Sequence, residues 1–119
     1  MGLTTVNVKI RNPADPKKGR DLDLLVDTGA IYSIVPAEFL KGLDIRPLGK
    51  RSFTLADGGK VEREVGGALY KIGKHEGYAS VVFGSKKDKP LLGVTALEEM
   101  GLQVDPVTKQ LRRTELLLL

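Results

Sequence analysis

A chain of 119 residues has room for one ordinary domain, and 41% hydrophobic with 29% charged residues is the balance of a globular fold, not of a disordered or low-complexity one. The absence of cysteine excludes disulfides, thiolate metal sites and cysteine nucleophiles. The net charge of +4 is modest, and the basic residues behind it are spread out, ten of the 19 falling in four short runs.

Those runs are Lys17, Lys18 and Arg20; Lys50 and Arg51; Lys86, Lys87 and Lys89; and Arg112 and Arg113. Most sit beside proline or glycine in expected loops. The few Phe and Tyr residues are not interleaved with them, so no nucleic-acid partner is expected. No apolar stretch approaches the roughly 20 residues that cross a bilayer, so no membrane partner is expected either. The opening residues lack the basic start and apolar run of a secretory signal, and Val6 stands where a myristoylation pattern needs Ser or Thr. A cytoplasmic location is the resulting expectation, in keeping with a cysteine-free chain.

Val6, Val8 and Ile10 alternate with polar neighbours and predict a first strand, broken at Asn12-Pro13-Ala14-Asp15-Pro16. Leu22, Leu24 and Val26 resume the alternation, which predicts a hairpin joined by a Pro-, Lys- and Gly-bearing loop. Leu24-Leu25-Val26 is apolar at consecutive positions, so the end of this strand is expected to be buried on both faces. Residues 36–42 read as a short helix, with Pro36 near its start and Gly42 just past its end. Residues 52–56 and 60–65 read as strands about Asp57-Gly58-Gly59, because glycine takes the positive φ that a tight hairpin turn requires.

Gly66 and Gly67 point to a bulge or bend. Strands over 68–72 and 78–83 follow, joined by a loop at 73–77. Pro90-Leu91-Leu92-Gly93 leads into a helix over 95–101, with Thr95 as its cap and Glu98 three residues on. Residues 102–104, an Asp105-Pro106 turn and residues 107–111 predict a closing hairpin. No internal repeat is present. The chain therefore reads as a single domain over 1–119, mostly β with one or two short helices.

Asp27-Thr28-Gly29-Ala30, directly after an apolar strand, is the most informative feature. Burial of Leu24, Leu25 and Val26 holds the following carboxylate rigidly at a strand end. Gly29 permits a sharp turn and a close backbone approach. Thr28 offers a hydroxyl that can fix the turn, and Ser33 can join the same network. Asp-Thr-Gly alone is weak, since average composition yields it in roughly one chain in forty of this length. None of Asp15, Asp21, Asp23, Asp44, Asp57, Asp88 and Asp105 has both an apolar strand before it and Thr-Gly after it.

The order of parts over roughly positions 3–111 resembles the retropepsin family of retroviral-type aspartic proteases, in its cellular and prokaryotic single Asp-Thr-Gly branch. Those parts are Leu24-Leu25-Val26-Asp27-Thr28-Gly29-Ala30, a hairpin about Ala56-Asp57-Gly58-Gly59, and Leu91-Leu92-Gly93 before a helix. The resemblance implies a closed or partly open β-barrel of the acid-protease type. It implies an aspartic endopeptidase acting on peptides or unfolded proteins as a homodimer, with Asp27 as the catalytic carboxylate. Thr28, Gly29 and Ala30 would support the site, Thr28 bonding across the subunit boundary and Gly29 lying under the bound peptide. Ala56, Asp57, Gly58 and Gly59 would form the flap over substrate. The chain departs from viral members at Ile31 and Tyr32, where they carry acids, and at Val94, where they carry Arg.

One Asp-Thr-Gly per chain means that a second copy must supply the other carboxylate. The apolar run over 116–119 is a candidate pairing segment. No cofactor or metal is expected: His75 has no second histidine or cysteine near it in sequence, and no Gly-x-Gly-x-x-Gly follows a strand. The competing reading is the same fold acting as an inactive peptide-binding, protein-binding or dimerisation module.

Overall fold

Alternation at the start of the chain sets the first hairpin. In the computed structural model, which describes residues 4–114 and 118, β1 (Thr4–Asn12) and β2 (Asp15–Val26) pair antiparallel from Thr4↔Val26 to Arg11↔Gly19. Val8, Ile10, Leu24 and Val26 point from it into the core, none more than 3% exposed. The connection is shorter than the sequence predicts. Asp15 already pairs with Asn12, and Pro16 to Gly19 are strand residues. Asn12 explains the economy: its buried amide accepts from Ala14 N–H at 2.8 Å and donates to Leu43 O at 2.9 Å and Asp44 O at 3.0 Å. A side chain thereby supplies the bonds that a longer loop would have needed.

The remaining strands close the sheet on itself. β3 (Ser33–Pro36) runs parallel to β6 (His75–Gly84), and the two-residue β7 (Leu91–Leu92) lies between β2 and β3. β6 pairs antiparallel with the long β5 (Lys60–Ile72), whose far end returns to β1 through Lys9↔Lys71 to Arg11↔Leu69. The result is a ring-like mixed sheet, β1-β2-β7-β3-β6-β5, with β4 (Gly49–Thr54) attached outside on β5. Inside it, Tyr70, Val81, Phe83 and Leu92 meet Leu40 of α1 (Ala37–Gly42) and Leu97 of α2 (Val94–Glu99) in one apolar cluster. β8 (Leu102–Val104) and β9 (Leu111–Arg113) form a separate hairpin. This is the mostly β, two-helix architecture expected.

Several local expectations are corrected. Gly66 and Gly67 make no bulge, because the β5–β6 ladder runs through them without a register shift. They are small because a Cβ at Gly66 would press on Arg46 O and one at Gly67 would strike the Tyr78 hydroxyl. Gly42 lies inside α1, and the left-handed residue beyond it is Asp44, with φ 59°. Thr95 is not the cap of α2. Gly93 is, because a Cβ there would lie 2.5 Å from the Tyr32 carbonyl carbon and no capping side chain fits.

The closing hairpin uses 111–113 as its second strand rather than 107–111, since the Asp105 carboxylate accepts from Val107 and Thr108 N–H and extends the turn. His75 opens β6 instead of sitting in a loop. Lys17, Lys18, Arg20, Lys50, Arg51, Arg112 and Arg113 lie on strands, exposed; only the run at 86–89 is a loop. No described helix is long and apolar enough to cross a membrane. Residues 116, 117 and 119 of the apolar tail lie outside the described residues.

Candidate active site

β2 delivers Asp27 to one end of the ring. Leu24 and Val26 are buried and Leu25 half-buried, so the strand end is covered on both faces. Beyond Val26 the backbone stays pinned: Asp27 N–H donates to Leu92 O at 3.0 Å, extending the parallel β2–β7 pairing. Ala30 N–H then donates to Asp27 O at 3.1 Å, and Gly29 N–H donates to Asp27 Oδ1 at 2.9 Å. The loop joining β2 to β3 therefore straddles β7.

That loop is also tied to the helix behind it. Val94 N–H donates to Ala30 O at 2.8 Å and Thr95 N–H to Ile31 O at 3.1 Å. Ser33, 1% exposed, accepts from Gly93 N–H at 2.9 Å through Oγ. Beneath it Tyr70 is fully buried and donates to Ser80 O at 2.8 Å. Burial pushes the Tyr70 phenol well above its ordinary value, and a hydrogen bond with Ser33 offsets part of that rise. Ser33 thus ties β3 to Gly93 at the start of α2 and to Tyr70.

Asp27 and Asp57 have the same local turn. Asp57 Oδ1 accepts from Gly59 N–H at 2.8 Å, as Asp27 Oδ1 does from Gly29. Their settings differ. Asp27 is half-exposed after a buried strand, whereas Asp57 stands in a wholly exposed loop with Gly58 at φ 89°. Among the described residues no second carboxylate bonds to Asp27. Thr28 borders a different hollow, about 430 Å³, with Val94, Leu97, Leu102, Val104 and Thr114.

Between the Asp27 loop and the β4–β5 hairpin lies a cleft of about 410 Å³. Gly29, Ala30, Ile31, Tyr32 and Ile34 line one side. Phe53, Thr54, Leu55, Val61 and Arg63 line the hairpin side, with Val82 and Asp88 completing it. The hairpin-tip residues Ala56, Asp57, Gly58 and Gly59 are not among its lining residues. The cleft thus brings Gly29 and Ala30 together with the stems of the hairpin, not with its tip.

Sequence reading missed two constellations here. Arg63 grips Asp88 with two bonds, Nε–Oδ2 at 2.6 Å and Nη2–Oδ1 at 3.0 Å, while Ser85 N–H donates to Asp88 Oδ2 at 2.8 Å. Chiefly because of the Arg63 bond, the Asp88 carboxyl is held down at about 2. Tyr32 accepts from Arg51 Nη1 at 2.8 Å and meets Phe53 edge-on, with ring centroids 6.0 Å apart. The β4–β5 pairing places residues 51, 53, 61 and 63 on one face, whereas the sequence reading began that strand at Ser52 and left Arg51 outside it. Nothing in the sequence indicated which acid or aromatic would face them. Among the described residues no cluster of three or more His, Cys, Asp or Glu forms a metal site.

The closed mixed sheet and the carboxylate-bearing loop across β7 define the class as the retroviral-protease fold. The solution structure of the simian foamy virus (mac) protease aligns with a TM-score of 0.57 and 24% identity, covering 80% of this chain and 92% of that one. A comparison with curated proteins gives no match. A protein-family profile described as "gag-polyprotein putative aspartyl protease" matches residues 17–99. The chain belongs to this retropepsin-like family.

Proposed function

We propose that the chain is one subunit of a homodimeric aspartic endopeptidase of the cellular or prokaryotic branch, a single domain cleaving extended peptides or unfolded proteins. One observation carries this reading: the half-exposed Asp27 carboxylate stands on a backbone-pinned loop at the end of a buried strand, two residues before Gly29, where the lining of a cleft of about 410 Å³ begins. Thr28, Gly29 and Ala30 support that loop, and the β4–β5 hairpin with Ala56, Asp57, Gly58 and Gly59 at its tip closes over substrate. Ile31, Tyr32 and Val94 favour the non-viral branch. Freedom from cysteine suits the cytoplasm.

The chemistry requires two carboxylates about 3 Å apart, where like charges cannot both ionise. They share one proton, and the resulting pKa values belong to the pair. The ionised Asp27 takes a proton from water as the oxygen attacks the peptide carbonyl. Its protonated twin from the second copy gives a proton to the developing oxyanion. Collapse of the tetrahedral intermediate expels the amine, which takes up a proton from the dyad.

The test compares wild type with Asp27→Asn on a peptide library and an unfolded protein at mildly acidic to neutral pH. Wild type should cleave, a statine-type compound should inhibit it, and the variant should lose at least about a thousandfold in rate. Persistent cleavage by Asp27→Asn would refute the proposal.

A further inference from the structure

Beside the cleft, bonded to its lining residue Tyr32, stands one charge that the fold leaves unanswered. On the β4–β5 hairpin Arg51 sits opposite Arg63 and Phe53 opposite Val61, all on one face, and Phe53, Val61 and Arg63 line the cleft. Two guanidinium groups opposed on one face repel each other. Asp88 neutralises Arg63 through its two-bond grip. Arg51 has no such relief. Its partner is the neutral Tyr32 phenol, with the guanidinium carbon 5.8 Å from the ring centre, and among the described residues it forms no salt bridge. Its charge stays whole and most of its donors remain free for a carboxylate.

We propose that Arg51 is a specificity-determining residue, recognising an acidic side chain of the bound peptide two residues from an apolar side chain seated in the cleft. The proposal rests on the peptidase reading and deepens it. In an extended peptide, side chains two residues apart share a face at roughly 6.5–7 Å spacing, the same interval that separates Phe53 from Arg51 along β4. A peptide with an aliphatic group against Phe53, Val61 and Val82 therefore presents its next same-face side chain to Arg51. The guanidinium donates to that carboxylate. Tyr32, which accepts from Arg51, keeps its own hydroxyl proton to donate as well. Arg51 is exposed, so the preference is modest and salt-sensitive, about two- to fivefold.

Cleavage-site profiling on a library of proteome-derived peptides should show Glu or Asp enriched two residues from an aliphatic residue. Synthetic peptides differing only by Glu or Gln at that place should differ about two- to fivefold in kcat/KM, with the gap shrinking in high salt. Arg51→Glu should reverse the order and favour Lys. Equal rates on the Glu and Gln peptides, or a Glu preference that survives in Arg51→Glu, would overturn the proposal. Fluorescence-anisotropy titration of the same peptides onto Asp27→Asn, with and without Arg51→Glu, separates the two readings. Wild type that cleaves no peptide refutes the peptidase, whereas binding indifferent to Glu versus Gln refutes the role of Arg51.

Discussion

Gly93 shows how one missing methyl group sets the geometry around Asp27. A Cβ there would lie 2.5 Å from the Tyr32 carbonyl carbon and 2.6 Å from its oxygen, both backbone atoms that no rotamer change can move. Gly93→Ala should therefore cost about 2–4 kcal/mol in urea denaturation, a steric penalty at the severe end of core overpacking. It should also lower peptide cleavage, because the displaced backbone belongs to the loop that holds Asp27. Gly49 gives the matched control: a Cβ there meets nothing within 4 Å. Gly49→Ala should stay within about 0.5 kcal/mol of wild type.

At the scale of elements, the Arg63–Asp88 pair ties β5 to the loop between β6 and β7. Asp88 is held at about 2, below the unfolded carboxylate value near 3.9. Its stabilisation is thus fully present above pH ~4 and is lost as pH falls from there toward about 2. With side chains only 21% and 19% exposed, the pair's contribution is on the order of 1–2 kcal/mol after solvent screening. Unfolding free energy measured between pH 5 and pH 2 should fall less steeply in Asp88→Asn than in wild type. Equal slopes would show that the pair is not linked to folding.

The same pair marks the limit of what sequence shows. The first hairpin and the one about Asp57-Gly58-Gly59 were legible because turn residues and alternation lie side by side in the chain, although β4 starts at Gly49 and not at Ser52. The setting of Asp27, after Leu24-Leu25-Val26, was legible for the same local reason. Closure of β5 onto β1, the two parallel pairings and the meeting of Tyr32 with Arg51 join residues far apart in sequence. No local propensity encodes them. Thr95 failed as a cap because tertiary crowding at Gly93 overrode a good local signal.

At the scale of the whole molecule, the proposed function makes catalysis a property of the assembly, because each chain carries one Asp-Thr-Gly. A two-fold axis would bring the loop carboxylate against its copy, so activity should depend on which chains pair, not only on how many are intact. Subunit mixing tests this directly. Wild type is exchanged with an about ninefold excess of Asp27→Asn and allowed to re-pair at random. Only about one tenth of the wild-type chains then find a wild-type partner. Cleavage per wild-type chain should drop to about one tenth of its unmixed value, provided that mixed dimers are inactive. A catalyst complete within one chain would keep its activity per wild-type chain under the same mixing, because its site would contain no partner residue to lose. Dilution supplies the second arm: activity per chain of the unmixed wild type should fall below the dimer dissociation constant, and sedimentation should show the dimer disappearing over the same concentrations.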